Sequence, residues 1–345
     1  MRKSGLLASI AMVAAIAAGG ARAEAGELHL YVWSGELPQE VVDDFASKTG
    51  TKVTVDTFDS NETLIAKLEG GASGYDLIEP SQYAVQILGK KGLVEELDHA
   101  KMPNINNLSD AFKSVSYDPN NKYSVPYIWG TTGFAYNTDC VKEPISSWKA
   151  LWDEKYSGRI YMLDNMLAAY IAGLQVSGAH AGTTNPDEIA KATDALIKQK
   201  KLLGGYNSTN FADLVASGEA CIAEGWNGNF SQAAASNPKV KYVLPDEGGT
   251  MWVDGLSIVK SAANKDAAYA FIDYISQPEV AAKAAKLSKS ATVIPAAKAL
   301  LPKEIAENAA IYPSDERLKK ADFILDMGDA MKLYQDGWTK VKAAQ

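Results

Sequence analysis

The sequence predicts an α/β protein of two lobes with a cleft between them. Strand-like and helix-like segments alternate through its first third. About 320 residues follow a predicted leader, which is more than one hydrophobic core normally supports. Two long segments rich in β-branched and aromatic residues have the extended character of chain crossings between lobes: YSVPYIWGTTGFAYNTD and KVKYVLPDEGGTMWVDGLSIV.

Residues 1–23 predict a secretory signal peptide. A basic start at Arg2 and Lys3 precedes an apolar run from Leu6 to about Ala18, and small residues follow. An uncleaved anchor is disfavoured because this run is shorter than the about 20 residues that span a bilayer. Removing the leader takes away three cations and no acids, so the formal charge changes from −8 to −11. This acidic balance disfavours nucleic acid and anionic membranes as partners.

The opening third reads as βαβαβα. LHLYVW and TKVTVDTF predict strands, and a helix over LPQEVVDDFASKTG ends at Gly50, a plausible cap. NETLIAKLEGG predicts a second helix, and YDLIEPSQYAVQILGKKG predicts a strand, a turn and a helix. This order predicts a mostly parallel sheet with ligand sites beyond the carboxyl ends of its strands.

A second α/β unit follows the first crossing, which contains Gly130 and Gly133. It includes SWKALWDEKYSG, a helix around 168–176, PDEIAKATDALIKQKK and the strand ACIAEGW. Gly248 and Gly249 mark a bend before the return crossing, and the chain is helical and alanine-rich from Asn264. We therefore expect a first lobe of 24–131 plus about 250–300, a second lobe of 132–249 plus about 301–345, and a hinge that closes about a ligand.

Three distant segments each run from an apolar strand into a tryptophan: LHLYVWSGE, ACIAEGWNGN and GGTMWVDG. Strands that end at Trp33, Trp226 and Trp252 would bring ring faces together, and a ring face attracts a cation by about 0.5 to 2 kcal/mol. Asp254 supplies a carboxylate two residues after Trp252. This pattern predicts a pocket for a small organic cation.

These segments together resemble the periplasmic polyamine-binding proteins, the spermidine and putrescine receptors of ABC importers. The marks, in common order and spacing, are YVWSGELP, DTFDSNETLIAKL, YDLIEPSQYAV, YSVPYIWGTTGFAYN, SWKALWDEKYSGRI, GWNG and EGGTMWVDGLSI. The resemblance implies a type II periplasmic binding protein that delivers its cargo to an inner-membrane permease without catalysis. It implies aromatic walls at Trp33, Tyr83, Trp226 and Trp252, polar contacts at Ser34 and Ser81, and an amine partner at Asp254.

Several positions depart from the pattern of that family. Asn165 and Ala168 stand where acids are usual, and Ile324 stands where some relatives have glutamine. Asn229 and Gly35 also replace acids. Glu36 occupies a position where tyrosine is common, so it joins the candidate set together with Asn165. The candidate ligand-binding residues are therefore Trp33, Ser34, Glu36, Ser81, Tyr83, Asn165, Trp226, Trp252 and Asp254.

The number of acids sets the expected ligand. Burying an ammonium without a partner costs several kcal/mol, and Asp254 with Glu36 can neutralise two charges. We therefore expect a mono- or diamine, such as putrescine, in preference to the longer and more highly charged spermidine. The alternative is a related zwitterion such as 4-aminobutyrate, whose carboxylate Asn165, Ser34 or Ser81 would receive. No arginine falls on a matched pocket position, which weighs mildly against it.

Other classes find little support in the sequence. The histidines, His29, His99 and His180, lie far apart and outside any metal motif, and no nucleophile elbow or P-loop occurs. An iron receptor of the same general fold commonly uses adjacent tyrosines, which this chain lacks. A structural or adhesive secreted protein would not need tryptophans at three strand ends. We expect a periplasmic monomer with no enzymatic activity, cofactor, metal site or nucleic-acid partner.

Some assignments stay open in the sequence. Spacing cannot show whether Cys140 and Cys221 form a disulfide or remain two buried thiols. Asp164 could face the cleft or cap the following helix. We expect Tyr127, Trp129 and Tyr136, which flank the first crossing, to pack at the hinge.

Overall fold

The computed structural model describes residues 26–72 and 74–344, so the predicted signal peptide lies outside the described residues. The strands are β1 (Glu27–Trp33), β2 (Lys52–Phe58), β3 (Leu77–Ile78), β4 (Val125–Asn137), β5 (Ile160–Met162), β6 (Leu203–Tyr206), β7 (Ile222–Trp226), β8 (Val240–Val243), β9 (Thr250–Ile258) and β10 (Ala291–Thr292). The helices are α1 (Gln39–Thr49), α2 (Asn61–Glu69), α3 (Gln82–Lys90), α4 (Met166–Val176), α5 (Pro186–Lys200), α6 (Phe211–Ser217), α7 (Asn227–Ser236), α8 (Lys265–Ile275), α9 (Pro278–Ser288), α10 (Pro295–Ala299), α11 (Lys303–Ala306), α12 (Asp315–Leu318) and α13 (Met331–Ala343).

The opening βαβαβα unit is present. Strand β1 pairs in parallel with β2 over its whole length and with β3 on its other side. Helix α1 ends at Gly50, whose left-handed backbone (φ 75°) lets its N–H donate to the Ala46 carbonyl. Parallel pairing places the carboxyl ends of β1 and β3 at one edge, and the site residues follow there.

Two strands cross between the lobes, as the sequence predicts. The first half of β4 pairs with β9, and its second half pairs with β7 and β8. The strand order along the sheet is β2-β1-β3-β9-β4-β7-β5-β6, with β8 and β10 also paired to β4. A third segment runs beside β9, because the Met251 N–H donates to the Asp322 carbonyl and the Asp322 N–H donates to the Gly249 carbonyl.

Two main hydrophobic clusters define the lobes. The first-lobe cluster lies around β1, α1, α8 and α9, and the second-lobe cluster lies around β5, α4, α5 and α13. Leu301, Ile305 and Ile311 belong to the first cluster, whereas Tyr334 and Val341 belong to the second. The lobe limits given by the sequence stay predictions, and this packing favours a final crossing near residue 320 rather than 300.

Cys140 and Cys221 form a disulfide, with their Cα atoms 5.4 Å apart. The pairing of β4 with β7 brings the two cysteines together, since Tyr136 lies opposite Ile222. The bond joins positions 81 residues apart within the second lobe. Tyr127, Trp129 and Tyr136 are buried along β4, as expected of packing at the crossing. Among the described residues, no helix is both long enough and apolar enough to cross a membrane.

Candidate functional site

A cavity of about 90 Å³ lies between the two lobes where β4 and β9 cross. Residues of the first lobe, the second lobe and β9 all contribute to its wall. The nine candidate residues from the sequence all line it: Trp33, Ser34, Glu36, Ser81, Tyr83, Asn165, Trp226, Trp252 and Asp254. The structure therefore brings the whole candidate set together around one space.

Tryptophans from both lobes meet over this cavity. Trp33 ends β1 and Trp226 ends β7, and their ring centroids lie 6.1 Å apart in an edge-to-face arrangement. Phe58 supports the Trp33 ring at 4.7 Å, and Phe211 supports the Trp226 ring at 5.5 Å. Supported rings are preorganised, so little side-chain entropy remains to be lost when a ligand contacts them.

The position of the third tryptophan depends on a glycine. Trp252 lies on β9 directly opposite Gly130 of β4. A Cβ atom at Gly130 would overlap the Trp252 ring and the Asn227 Oδ1 atom. The absence of a side chain at Gly130 thus leaves the space that the indole occupies beside the crossing strand. The Trp252 Nε1 atom is buried without a hydrogen-bond partner.

Asp254 places a carboxyl group in the wall of the cavity. It is 3% exposed, and its Oδ1 atom is buried without a hydrogen-bond partner. Its backbone forms an antiparallel bridge with the backbone of Ser81. Burial raises the pKa of Asp254 to about 7, against the opposing effect of hydrogen bonds from Ser81 and Glu36.

Glu36 approaches Asp254 from the turn after β1. Its Oε2 atom is buried without a partner, although the residue as a whole is partly exposed. Burial raises the pKa of Glu36 well above its ordinary value, and the negative charges of Asp254 and Glu79 raise it further. Two carboxyl groups that share a buried space without a cation hold protons that they would lose in water.

Two candidate residues have structural partners of their own. The Asn165 Oδ1 atom accepts a hydrogen bond from the Ala168 N–H (3.0 Å) and so caps α4. Asp164, for which the sequence left open a place in the cleft or a capping role, forms a half-exposed ion pair with Lys342 at 2.7 Å. The Tyr83 hydroxyl donates to Glu62 Oε1 at 3.0 Å. Asn165 and Tyr83 still line the cavity, so these bonds fix their orientation toward it.

The second-lobe wall is largely apolar. Leu167, Ala168 and Ile171 of α4 face the cavity together with Ile324 of the third crossing segment. The departures seen in the sequence at Ala168 and Ile324 therefore lie in the wall itself. The carboxyl groups of the cavity come from the first lobe and β9, whereas most of its methyl groups come from α4 and Ile324.

Sequence reasoning missed several lining residues and one buried acid behind them. Asn61, Gln82, Thr132, Leu167, Ile171 and Thr250 also line the cavity. Gln82 joins two crossings, because its Oε1 accepts from the Val253 N–H and its Nε2 donates to the Ile324 carbonyl. Glu79 lies behind the wall at 0% exposure. An acid inside the apolar run YDLIEP was the signal that could have identified it.

The cavity is chemically suited to a cation. Among the residues that the structure describes, its lining contains no lysine, arginine or histidine. Buried acids without partners are unfavourable unless a cation neutralises them. No group of three histidines, cysteines or acids in the described part of the chain has the geometry to hold a metal ion. A nitrogen cation flanked by aromatic rings would satisfy the carboxyl groups.

Comparison with known proteins places the chain in a family. Residues 40–313 match the family model described as bacterial extracellular solute-binding protein. The spermidine/putrescine-binding periplasmic protein of Escherichia coli (strain K12) is 34% identical over 320 residues, which cover 92% of each chain. The putrescine-binding periplasmic protein PotF of the same strain is 33% identical, with 99% of this chain and 98% of the relative covered.

A solved structure agrees with the sequence relatives. A putative spermidine/putrescine ABC transporter from Listeria monocytogenes superimposes with a TM-score of 0.89 at 31% identity. The match covers 93% of this chain and 100% of the other. The two-lobed α/β fold is therefore that of the periplasmic binding proteins. The chain belongs to the family of bacterial extracellular solute-binding proteins, which are binding proteins rather than enzymes.

Proposed function

We propose that this protein is a periplasmic receptor that binds a small polyamine-like cation, with putrescine favoured over spermidine, and delivers it to an ABC importer in the inner membrane. One observation carries the proposal. Asp254 and Glu36 each have a buried oxygen atom without a hydrogen-bond partner, and both line the same cavity as the tryptophan rings. The names of the relatives point to the same class of ligand.

The size and charge of the cavity favour a short diamine. Its volume of about 90 Å³ is small beside the about 300 to 1,000 Å³ typical of drug-sized ligands. Two carboxyl groups match two ammonium charges. A third charge, as in spermidine, would have to lie against Leu167, Ala168 and Ile324, where no acid compensates for its desolvation.

Binding would proceed through closure of the lobes. In the proposed sequence the amine first contacts Trp33 and Tyr83, and the second lobe then brings Trp226 over the carbon chain. Closure excludes water, which strengthens the attraction between an ammonium group and Asp254. Tighter binding to the closed form supplies the free energy that shifts the hinge. The closed surface of a monomeric receptor is what the permease would recognise.

A zwitterion such as 4-aminobutyrate is the second candidate. Asn165 supports it, because its Oδ1 atom is used in capping α4 and its amide N–H groups are left for a ligand carboxylate. The lack of a cationic side chain in the described lining weighs against it. An iron receptor gains no support, since no metal-binding group of side chains occurs among the described residues.

Calorimetry with an amine panel tests the proposal. We expect putrescine to bind more tightly than cadaverine, spermidine and spermine, and 4-aminobutyrate to bind weakly. Tighter binding of 4-aminobutyrate than of putrescine would establish the second candidate instead. Failure of every compound to bind, with the protein folded, would remove the amine-receptor proposal.

A further inference from the structure

Glu79 lies behind the cavity wall, close to the carboxyl groups of Glu36 and Asp254. Its backbone N–H donates to the Tyr31 carbonyl (3.2 Å), and its Oε2 accepts from the Trp33 N–H (3.2 Å). On the other side, the carbonyl of the next residue, Pro80, accepts from the Gly255 N–H at 3.1 Å. Glu79 is thus held between the end of β1, which carries Trp33, and the part of β9 that carries Asp254.

Glu79 has unused bonding capacity although it is completely buried. Its Oε1 atom has no hydrogen-bond partner, and it is not part of the cavity lining. The hydroxyl of Tyr127 on β4 is also buried without a partner. Burial raises the pKa of Tyr127 well above its ordinary value, and the negative charges of Glu79 and Glu36 raise it further. Burial raises the pKa of Glu79 well above its ordinary value, and the charge of Asp254 raises it further.

Among the residues that the structure describes, the titratable groups that interact around this point are acids and phenols. They comprise Glu36 on the turn after β1, Asp254 on β9, Tyr127 on β4, Tyr117 and Asp118 before β4, and Tyr83 with Glu62 on α3 and α2. No lysine, arginine or histidine among the described residues contributes to the pKa shifts of Glu36, Glu79 or Asp254. A bound cation would be the nearest compensating charge.

We infer that Glu79 is a specificity-determining residue, which makes the receptor prefer doubly charged amines over singly charged and zwitterionic ones by placing a third buried carboxyl group behind Glu36 and Asp254. The inference rests on the proposed amine-binding function and deepens it. Glu79 does not line the cavity, so it acts on the ligand through its charge rather than through direct contact.

The selection follows from Coulomb's law. When a bound cation displaces the proton of Glu79, the resulting buried negative charge attracts each positive charge of the ligand, so a diamine gains from both of its ammonium groups and a monoamine from one. In a zwitterion, repulsion of the carboxylate offsets the attraction of the ammonium group. The charge of Glu79 should therefore make affinity depend on net charge among ligands of similar length.

The experiment compares Glu79→Gln with wild type on three ligands of four-carbon length: putrescine, 1-aminobutane and 4-aminobutyrate. Glutamine keeps a carbonyl oxygen that can accept from the Trp33 N–H. We expect the affinity for putrescine to fall on the order of tenfold and the affinity for 1-aminobutane to fall only about threefold. The affinity for 4-aminobutyrate should change little. Equal losses for all three ligands, or none, would overturn the inference.

Glu224 provides a matched control. Like Glu79, Glu224 is completely buried. Its Oε2 atom accepts a hydrogen bond from the Leu163 backbone N–H (3.2 Å), and its Oε1 atom has no partner. Burial raises its pKa to about 8, but neither Asp254 nor Glu36 contributes to that shift. Glu224→Gln should leave the ratio of putrescine to 1-aminobutane affinity at its wild-type value; a shift as large as that in Glu79→Gln would refute a special role for Glu79.

Proton release gives a readout that a structural role would not change. Titrating putrescine into wild type near pH 7, in buffers of different ionisation enthalpy, should show protons leaving the carboxyl groups as the dication binds. We expect fewer released protons for 1-aminobutane and for Glu79→Gln. If Glu79→Gln does not fold, equal proton release by the two amines in wild type would contradict the inference. If wild type binds no amine, the proposed function itself fails, which separates the two outcomes.

Discussion

Asp254 is a residue whose burial is unfavourable in the free protein and useful in the complex. It is 3% exposed and one of its oxygens has no partner. Ser81 and Glu36 oppose the rise in the pKa of this carboxyl group, but neither carries a positive charge. The free energy stored in this arrangement is recovered when an ammonium group arrives, because the ligand supplies the missing counter-ion.

The substitution Asp254→Asn should therefore separate binding from stability. We expect putrescine affinity to fall by about 2 kcal/mol or more, the loss of a charge-assisted hydrogen bond. The free energy of unfolding of the ligand-free protein should stay the same or rise, because a buried charge without a cation is removed. Calorimetry and thermal unfolding measure the two quantities.

Glu224→Gln serves as the control for Asp254→Asn, since it removes a buried acid outside the cavity. It should leave putrescine affinity unchanged. If Asp254→Asn binds putrescine as tightly as wild type does, Asp254 is not the counter-ion.

At the scale of single elements, the crossing strand β4 positions the ligand wall. Gly130 leaves room for the Trp252 ring, and the indole Nε1–H of Trp129 on the same strand donates to the Thr292 carbonyl at 3.2 Å. Strand β4 is buried along its entire length, so a change on one face has nowhere to relax. The geometry of the site therefore depends on the packing of β4 as well as on the residues that line the cavity.

Gly130→Ala should move the Trp252 ring. Overpacking of this kind costs about 1 to 3 kcal/mol of stability, and we expect putrescine affinity to fall with it because the aromatic wall is displaced. Gly205→Ala on β6 is a suitable control, because its added Cβ would lie 3.5 Å from the Tyr161 ring, an ordinary contact. Normal stability and affinity in Gly130→Ala would show that Trp252 has another position open to it.

Short-range pattern accounts for the elements that the sequence predicted well. Strand β1, helix α1 and strand β2 have regular apolar spacing, and Gly50 ends α1 as expected. The nine candidate residues could be identified from the sequence because they lie at strand ends or within the segments that resemble the family. Leu167 and Ile171 were missed because their apolar side chains look like any buried face of a helix.

Features that depend on long-range pairing could not be read from the sequence. The disulfide needs the register of β4 against β7, which places Cys140 near Cys221. The proposed role of Glu79 depends on β9 lying beside β3, a contact between residues about 180 positions apart. The cap of α4 is Asn165 rather than Asp164, a difference of one residue that local sequence cannot decide.

At the scale of the whole molecule, the lobes are tied by contacts around the cavity. Gln82 bonds both β9 and the third crossing segment, and Lys90 of α3 forms an ion pair with Asp326 (2.5 Å). Tyr83 of the first-lobe helix α3 packs in the second-lobe cluster. Movement of the lobes would therefore break bonds made by α3 as well as those that α7 makes with the first lobe.

Stability and binding should respond to pH in opposite directions. Asp254 has a pKa of about 7 in the folded protein and near 4 when unfolded, so the folded state binds more protons between these values. Its contribution to stability therefore decreases as pH rises from about 4 to 7. Putrescine binds the ionised carboxyl groups, so the stabilisation that it provides should increase over the same range.

Melting temperatures at pH 5 and pH 8, with and without saturating putrescine, check this expectation. We expect the ligand-induced rise to be larger at pH 8. Asp254→Asn should reduce the difference between the two pH values, whereas Glu224→Gln should retain it. A larger ligand-induced rise at pH 5 would mean that the carboxyl groups bind the ligand in their protonated form.

The most direct measurement is a crystal structure of the protein grown with putrescine. We predict that one nitrogen lies about 2.7 to 3.2 Å from an Asp254 carboxylate oxygen and that the carbon chain contacts the rings of Trp33, Trp226 and Trp252. A ligand bound outside this cavity, or one whose nitrogen atoms avoid Asp254 and Glu36, would contradict the account.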